Sequence, residues 1–168
     1  MSLSMYQASI PVFVRMLGNL SAILDKGLAD AEARNIDPAV FVNARLAPDM
    51  HPLSRQVQIA SDVVKGGAAR LAGVEAPSMP DTETTFAELK ARIAATIDFV
   101  QSVKAEQIDG SEDKSVTLKF PGGEMQMTGQ AYLLGFVLPN LYFHATATYA
   151  ILRHNGVQVG KMDFIGRA

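Results

Sequence analysis

GQAYLLGFVLPNLYFHATATYAILRHNG, residues 129–156, carries no Asp, Glu, Lys or Arg before Arg153. It is long enough for about six helical turns at roughly 3.6 residues per turn. Its main hydrogen-bonding side chains are Gln130, Asn140, His144 and Thr148. The last three are spaced by four, which puts them on one face of a helix. An apolar helix with one polar stripe reads as the central helix of a bundle, the stripe facing an internal pocket. Pro139 lies inside it, and the proline ring would press on the carbonyl of Gly135. A glycine there leaves room, so a kink within one continuous helix is predicted rather than a break. The run also has the length of a bilayer span. Pro139, Asn140, His144 and two threonines sit in its middle, however, and the other helices are amphipathic. A buried central helix accounts for the same run, and no membrane partner is expected.

Immediately upstream the pattern changes to period two. Val116, Leu118 and Phe120 alternate with Thr117 and Lys119, then Pro121-Gly122-Gly123 leads to Met125 and Met127 around Gln126. That is a small β-hairpin, and two strands alone are marginal, so it must lie on the bundle. Thr128 is the predicted cap of the last helix. Before the hairpin, Phe86, Leu89, Ile93, Ile97 and Val100 form a helical stripe. Thr85-Phe86-Ala87-Glu88 matches a capping box at its start, and the helix is predicted to reach about residue 105. Leu53, Val57, Ala60, Val64 and Leu71 mark another helix over 52–72, stopped by Gly73. Gly66-Gly67 inside it reads as a close approach of a neighbouring helix. Asp37-Pro38 begins a short helix to about residue 44. The first long helix is predicted over residues 5–34, from Tyr6, Ile10, Phe13, Leu17, Leu20 and Leu24. It either begins near Ser9 or kinks at Pro11. The tail after Gly156 is glycine-punctuated and packs across the surface without a long helix.

The 168 residues fit one domain with a real core. The net charge is -2, without a basic cluster, which argues against a nucleic-acid partner. The absence of cysteine excludes disulfides, thiolate metal sites and a cysteine nucleophile, and fits a cytoplasmic setting. No basic stretch precedes the apolar part of the N-terminus, and Arg15 interrupts it, so no signal peptide is expected. There is no Ser/His/Asp signature, and Gly122-Gly123 is too short for a phosphate loop.

Four helices, a long connection between the second and third, and a polar stripe on the last give an all-α chain that resembles the DinB/YfiT-like superfamily of metal-dependent four-helix-bundle proteins. More narrowly it is similar to a domain family of unknown function within that superfamily. The segments that carry the likeness are Arg55-Gln56-Val57-Gln58-Ile59-Ala60, Pro139-Asn140-Leu141-Tyr142-Phe143-His144, Ile151-Leu152-Arg153-His154-Asn155-Gly156 and Gly160-Lys161-Met162-Asp163. The resemblance implies one DinB-like up-and-down bundle over 1–168, with the hairpin before the last helix. It also implies pairing into a homodimer; the uncharged run itself is read as a buried central helix with Leu133, Leu134, Phe136 and Val137 partly at a dimer contact. DinB-like proteins carry three metal-binding histidines, one on the second helix and two spaced by four on the last. Matched to that pattern, His144 keeps its ligand position, while Asn140 and Gln58 stand where histidines are usual.

Imidazole is a good zinc or nickel ligand and a neutral amide a poor one. His144, Asn140 and Gln58 therefore admit three readings: a buried polar network with neutral His144, a pocket for a small polar molecule, or a weak divalent-metal site. Asp62, four residues after Gln58, would orient His144 or complete a metal site, or else be a solvated rim residue. Thr148 extends the stripe, although a threonine in an apolar helix most often bonds its own preceding turn. His51 reads as a cap or surface residue at a helix start. His154 suits a helix C-terminus, about 15 Å along the axis from His144. The resulting expectation is a small-molecule-binding or structural bundle with a degraded metal site. The alternative is a metal-dependent enzyme, similar to thiol-dependent transferases of the superfamily, using His144.

Overall fold

The computed structural model describes residues 3–166. The first long helix, α1, runs over Met5–Ala33 without a break at Pro11. It starts four residues before Ser9 because Ser4 and Gln7 form a reciprocal capping box, and such a cap stabilises by about 1 kcal/mol. The Ser9 hydroxyl donates to the carbonyl of Met5 at 2.7 Å. Helix α2, Pro38–Val42, begins with Asp37 accepting from the Ala39 N–H. Helix α3, Leu53–Ala72, ends on Gly73 in the left-handed region at φ 72°. Helix α4, Phe86–Ser102, carries the capping box of Thr85 and Glu88. It stops short of residue 105 because Val103 turns extended, and a separate turn of helix, α5, follows at Ala105–Ile108.

Strands β1, Ser115–Phe120, and β2, Gly123–Thr128, pair antiparallel from Ser115↔Thr128 to Phe120↔Gly123. The turn is Pro121-Gly122, with Gly122 at φ 100°. Val116 and Leu118 are buried, so β1 is the strand that lies on the bundle. The last long helix begins at α6, Gly129–Tyr132, which Thr128 caps. It passes through a π-helical turn, Leu133–Val137, and continues as α7, Leu138–His154. A short helix, α8, Lys161–Ile165, closes the chain against α1, its Phe164 and Ile165 carbonyls accepting from Asn19 and Arg15.

The π turn is how the helix absorbs Pro139. The Leu138 N–H bonds back five residues to the carbonyl of Leu133. Pro139 has no N–H to offer Gly135, and the wider turn relieves the clash of its ring. Gly135 is not the source of the room, because a Cβ there would meet nothing within 4 Å. The helix stays continuous, as its sequence predicts, by inserting a wider turn.

Helix α3 lies between α7 and α4, and α1 packs on α4 and α7, giving a four-helix bundle. Its core joins Phe13, Leu17, Leu20 and Leu24 of α1, Val57 and Val64 of α3, Leu89 and Ile93 of α4, and Leu141 and Ile151 of α7. Gly67 is where α3 meets the π turn: a Cβ there would lie 2.8 Å from Val137 Cγ1. Leu133 and Val137 are fully buried within the chain, so they are closed to a second copy, whereas Leu134 is 51% exposed. Among the described helices, α1 alone is long and apolar enough to cross a membrane by length and composition. Its apolar side is committed to α4 and α7.

Candidate functional site

His144 projects from α7 toward α3 and is buried, with 9% of its surface exposed. Its Nδ1 lies 2.7 Å from Oε1 of Gln56, not from Gln58. The Gln56 amide is itself oriented, because its Nε2 donates to the His51 carbonyl at 3.0 Å. With Nε2 as donor, Oε1 can only accept, so Nδ1 of His144 carries the proton. Nε2 then presents a lone pair. It has no hydrogen-bond partner among the described residues, and it is not one of the fully buried unpartnered atoms, which are Ser61 Oγ, Arg92 Nε and Ser111 Oγ. Burial, then the positive charges available to His51 and Arg55, push the His144 imidazolium down to about 4, so the ring is neutral at pH 7. Phe143 stands edge-on to it with ring centroids 5.2 Å apart.

The other residues of the predicted stripe are placed differently. Asn140 Nδ2 donates to the Phe136 carbonyl at 2.7 Å, one turn back on its own helix beside the π turn. Thr148 Oγ1 donates to the His144 carbonyl at 3.0 Å, as expected of a threonine in an apolar helix. Gln58 and Asp62 lie on another face of α3 from Gln56 and belong to a separate polar cluster. There the guanidinium of Arg92, with its side chain 1% exposed, reaches Asp62 at 2.8 Å, Asp81 at 2.9 Å and Glu83 at 2.9 Å. It also donates to the Pro80 carbonyl. Burial alone would lower the Arg92 pKa, and the bonds and charges of Glu83, Asp62 and Asp81 outweigh it and raise it. Gln58 Nε2 donates to Glu83 at 3.0 Å, Lys65 pairs with Asp62 at 3.0 Å, and Arg55 pairs with Asp81. This cluster pins the connection between α3 and α4.

The sequence pointed to His144 and missed Gln56 and Arg92. Both lie on buried faces in regular register: Gln56 is three residues after Leu53 and four before Ala60, and Arg92 is three after Leu89. Gln58 instead continues the stripe of Arg55, Asp62 and Lys65. Cavities of about 220–380 Å³ lie elsewhere, the most apolar between Leu28, Val42 and Phe86, and none of them is lined by His144.

A transition metal does not fit these residues. A zinc or nickel ion takes about three or more imidazole, thiolate or carboxylate donors. Among the described residues no three His, Asp or Glu side chains converge to hold one. The amides of Asn140 and Gln58 are turned to separate partners, and neither meets His144.

Residues 5–165 match the family model described as Domain of unknown function (DUF1993). No curated protein matches the chain. A crystal structure of a DinB family member from Shewanella denitrificans is 42% identical, covers 97% of this chain and 92% of that one, and superposes with a TM-score of 0.89. The extent of that match, with the helical bundle and its hairpin, places the chain in the DUF1993 family of DinB-like bundles.

Proposed function

We propose that this protein is a small-molecule-binding bundle that works without a resident metal, and that its binding feature is the free Nε2 lone pair of His144. The observation that carries this reading is the chain from the His51 carbonyl through the Gln56 amide to His144 Nδ1. It fixes one tautomer of a neutral imidazole and leaves its other nitrogen without a partner among the described residues. An imidazole held this way accepts a hydrogen bond from a ligand hydroxyl or N–H. The metal-dependent alternative is less favoured, because among the described residues no three His, Asp or Glu side chains converge to hold an ion.

Two measurements on untagged protein test the reading. Long-range ¹⁵N–¹H spectra at pH 7 should show His144 with a protonated Nδ1 and a bare Nε2. Elemental analysis should find no stoichiometric transition metal, and a chelator should leave the melting temperature unchanged. Near-stoichiometric zinc or nickel that disappears in His144→Ala, or a proton on Nε2, overturns it.

A further inference from the structure

We propose that the cleft between α1, α7 and α8 binds a small arylcarboxylate, with the carboxylate on Arg15 and the ring against Tyr142, Phe164 and Met16. The cleft has a volume of about 350 Å³ and is lined by Val12, Arg15, Met16, Tyr142, Phe164 and Ile165. Small-molecule sites commonly fall in the range of about 300–1,000 Å³. His144 does not line the cleft, so this site stands apart from the one proposed above.

Arg15 is the one charged residue of the lining, and it stands on a stretch with no counter-charge. Helix α1 has no Asp or Glu before Asp25, and α7 has none. Asp25 is paired with Lys90. The carboxylate of α8, Asp163, bonds Lys26 at 2.7 Å and the Gly160 N–H at 2.8 Å. The Arg15 Nε donates to the Ile165 carbonyl at 3.2 Å, and its two terminal amino groups have no partner among the described residues. That bond holds the guanidinium at the wall of the cleft. It leaves the two amino groups as a fork, the geometry that takes both oxygens of a carboxylate.

An exposed arginine alone does not make a site. The second observation is the wall beside it. Asn19 donates to the Phe164 carbonyl at 2.9 Å, so a second side chain of α1 pins α8 one turn beyond Arg15. The Phe164 ring stands edge-on to Tyr149, with centroids 6.4 Å apart. Its position is thus set from two sides. Met16 is buried and lends a polarizable thioether to the floor, whereas Tyr142 and Ile165 are exposed and leave the cleft open to solvent.

The chemistry selects the ligand. One guanidinium balances one negative charge; a phosphate dianion would keep an unpaired charge beside apolar walls. Two rings and a thioether favour an aromatic body over an aliphatic one. The Tyr142 hydroxyl, which has no partner among the described residues, adds a donor at the cleft.

The test is isothermal titration of the full chain with phenylacetate, phenylacetamide and acetate at pH 7 and low ionic strength. Phenylacetate is expected to bind saturably, with the amide and acetate each weaker by about tenfold or more, because each lacks the charge-assisted pair or the ring. Arg15→Gln should weaken phenylacetate by about tenfold and leave the amide unchanged. In methyl spectra the Met16 signal, assigned with Met16→Leu, should move on addition of phenylacetate. No saturable binding, equal affinity for the amide, or binding unchanged in Arg15→Gln overturns the proposal. So does a second copy of this chain in the cleft, seen as a dimer that dissociates in Arg15→Gln and takes up no phenylacetate. The comparison of phenylacetate with its amide uses the parent protein, so it decides the matter even where Arg15→Gln undocks α8.

Discussion

At the scale of the residue, His144 carries a pH signature. Unfolded, it takes a proton near 6.5; folded, burial and its cationic neighbours delay that until about 4. The unfolded chain therefore binds more protons between those values, and the stability His144 contributes is complete above about pH 6.5 and is lost as pH falls toward 4. The span corresponds to roughly 3 kcal/mol. Urea unfolding at pH 7.5, 5.5 and 4.5 should show a decline in the parent that is shallower in His144→Phe; parallel curves would contradict the assignment. The sequence exposed His144 because it is an isolated ionisable group in an uncharged run. It did not expose Gln56. Two glutamines stand two residues apart on one helix, about 200° around the axis. The choice between them depended on which side of α3 faces α7. The neighbours Leu53 and Ala60 carried that information and pointed to Gln56, whereas the family pattern pointed to Gln58.

At the scale of the element, helix starts, the hairpin and the glycine stop were legible because each is written in local chemistry: Thr85 with Glu88, Asp37 with Pro38, Pro121-Gly122, Gly73. The π turn was not. Proline announces a disturbance, but whether the helix kinks, breaks or widens depends on what packs there. The adjacent glycines of α3 give a sharp test of that packing. A methyl at Gly67 would sit 2.8 Å from Val137 Cγ1, on a side chain buried at the π turn. At Gly66 the obstacle is the Arg70 guanidinium, which donates to the hydroxyl of buried Tyr132 at 3.1 Å but ends an exposed side chain. Gly67→Ala is expected to cost about 1–3 kcal/mol from overpacking. Gly66→Ala should cost less, because the helix propensity gain of up to about 1 kcal/mol offsets the displaced Arg70–Tyr132 bond. Thermal melts of the two variants check the ordering, and equal effects would show that Gly67 is not a close-approach site.

At the scale of the whole molecule, charge is unevenly spread. The outer faces of α6, the π turn and α7 present Ala131, Leu134, Gly135, Tyr142, Phe143 and Thr146 to solvent with no charge among them. The start of α1 is likewise uncharged as far as Val14, and Leu3 and Leu134 line one cavity together with Glu112, while Arg15 lines another with Tyr142. We propose this face as the contact of a homodimer, since a largely apolar surface with Glu112 and Arg15 as its charged neighbours can pair with itself about a two-fold axis. Analytical ultracentrifugation should find the parent dimeric and Leu134→Arg monomeric; a monomeric parent would end the idea. The uncharged run suggested a dimer contact through Leu133, Leu134, Phe136 and Val137, but Leu133 and Val137 are fully buried within the chain. The Arg92 cluster was illegible for a different reason. Its partners Glu83 and Asp62 are 9 and 30 residues away, so no local pattern reveals them. That separation has a kinetic consequence. A clamp drawing on α3, α4 and the segment between them can close only after both helices are formed and docked, so it belongs to the native side of the folding barrier. Arg92→Met should accordingly speed unfolding while leaving the refolding rate nearly unchanged, as the two limbs of a stopped-flow chevron would reveal. The strap between α3 and α4 thus sets how long the folded molecule lasts more than how quickly it forms.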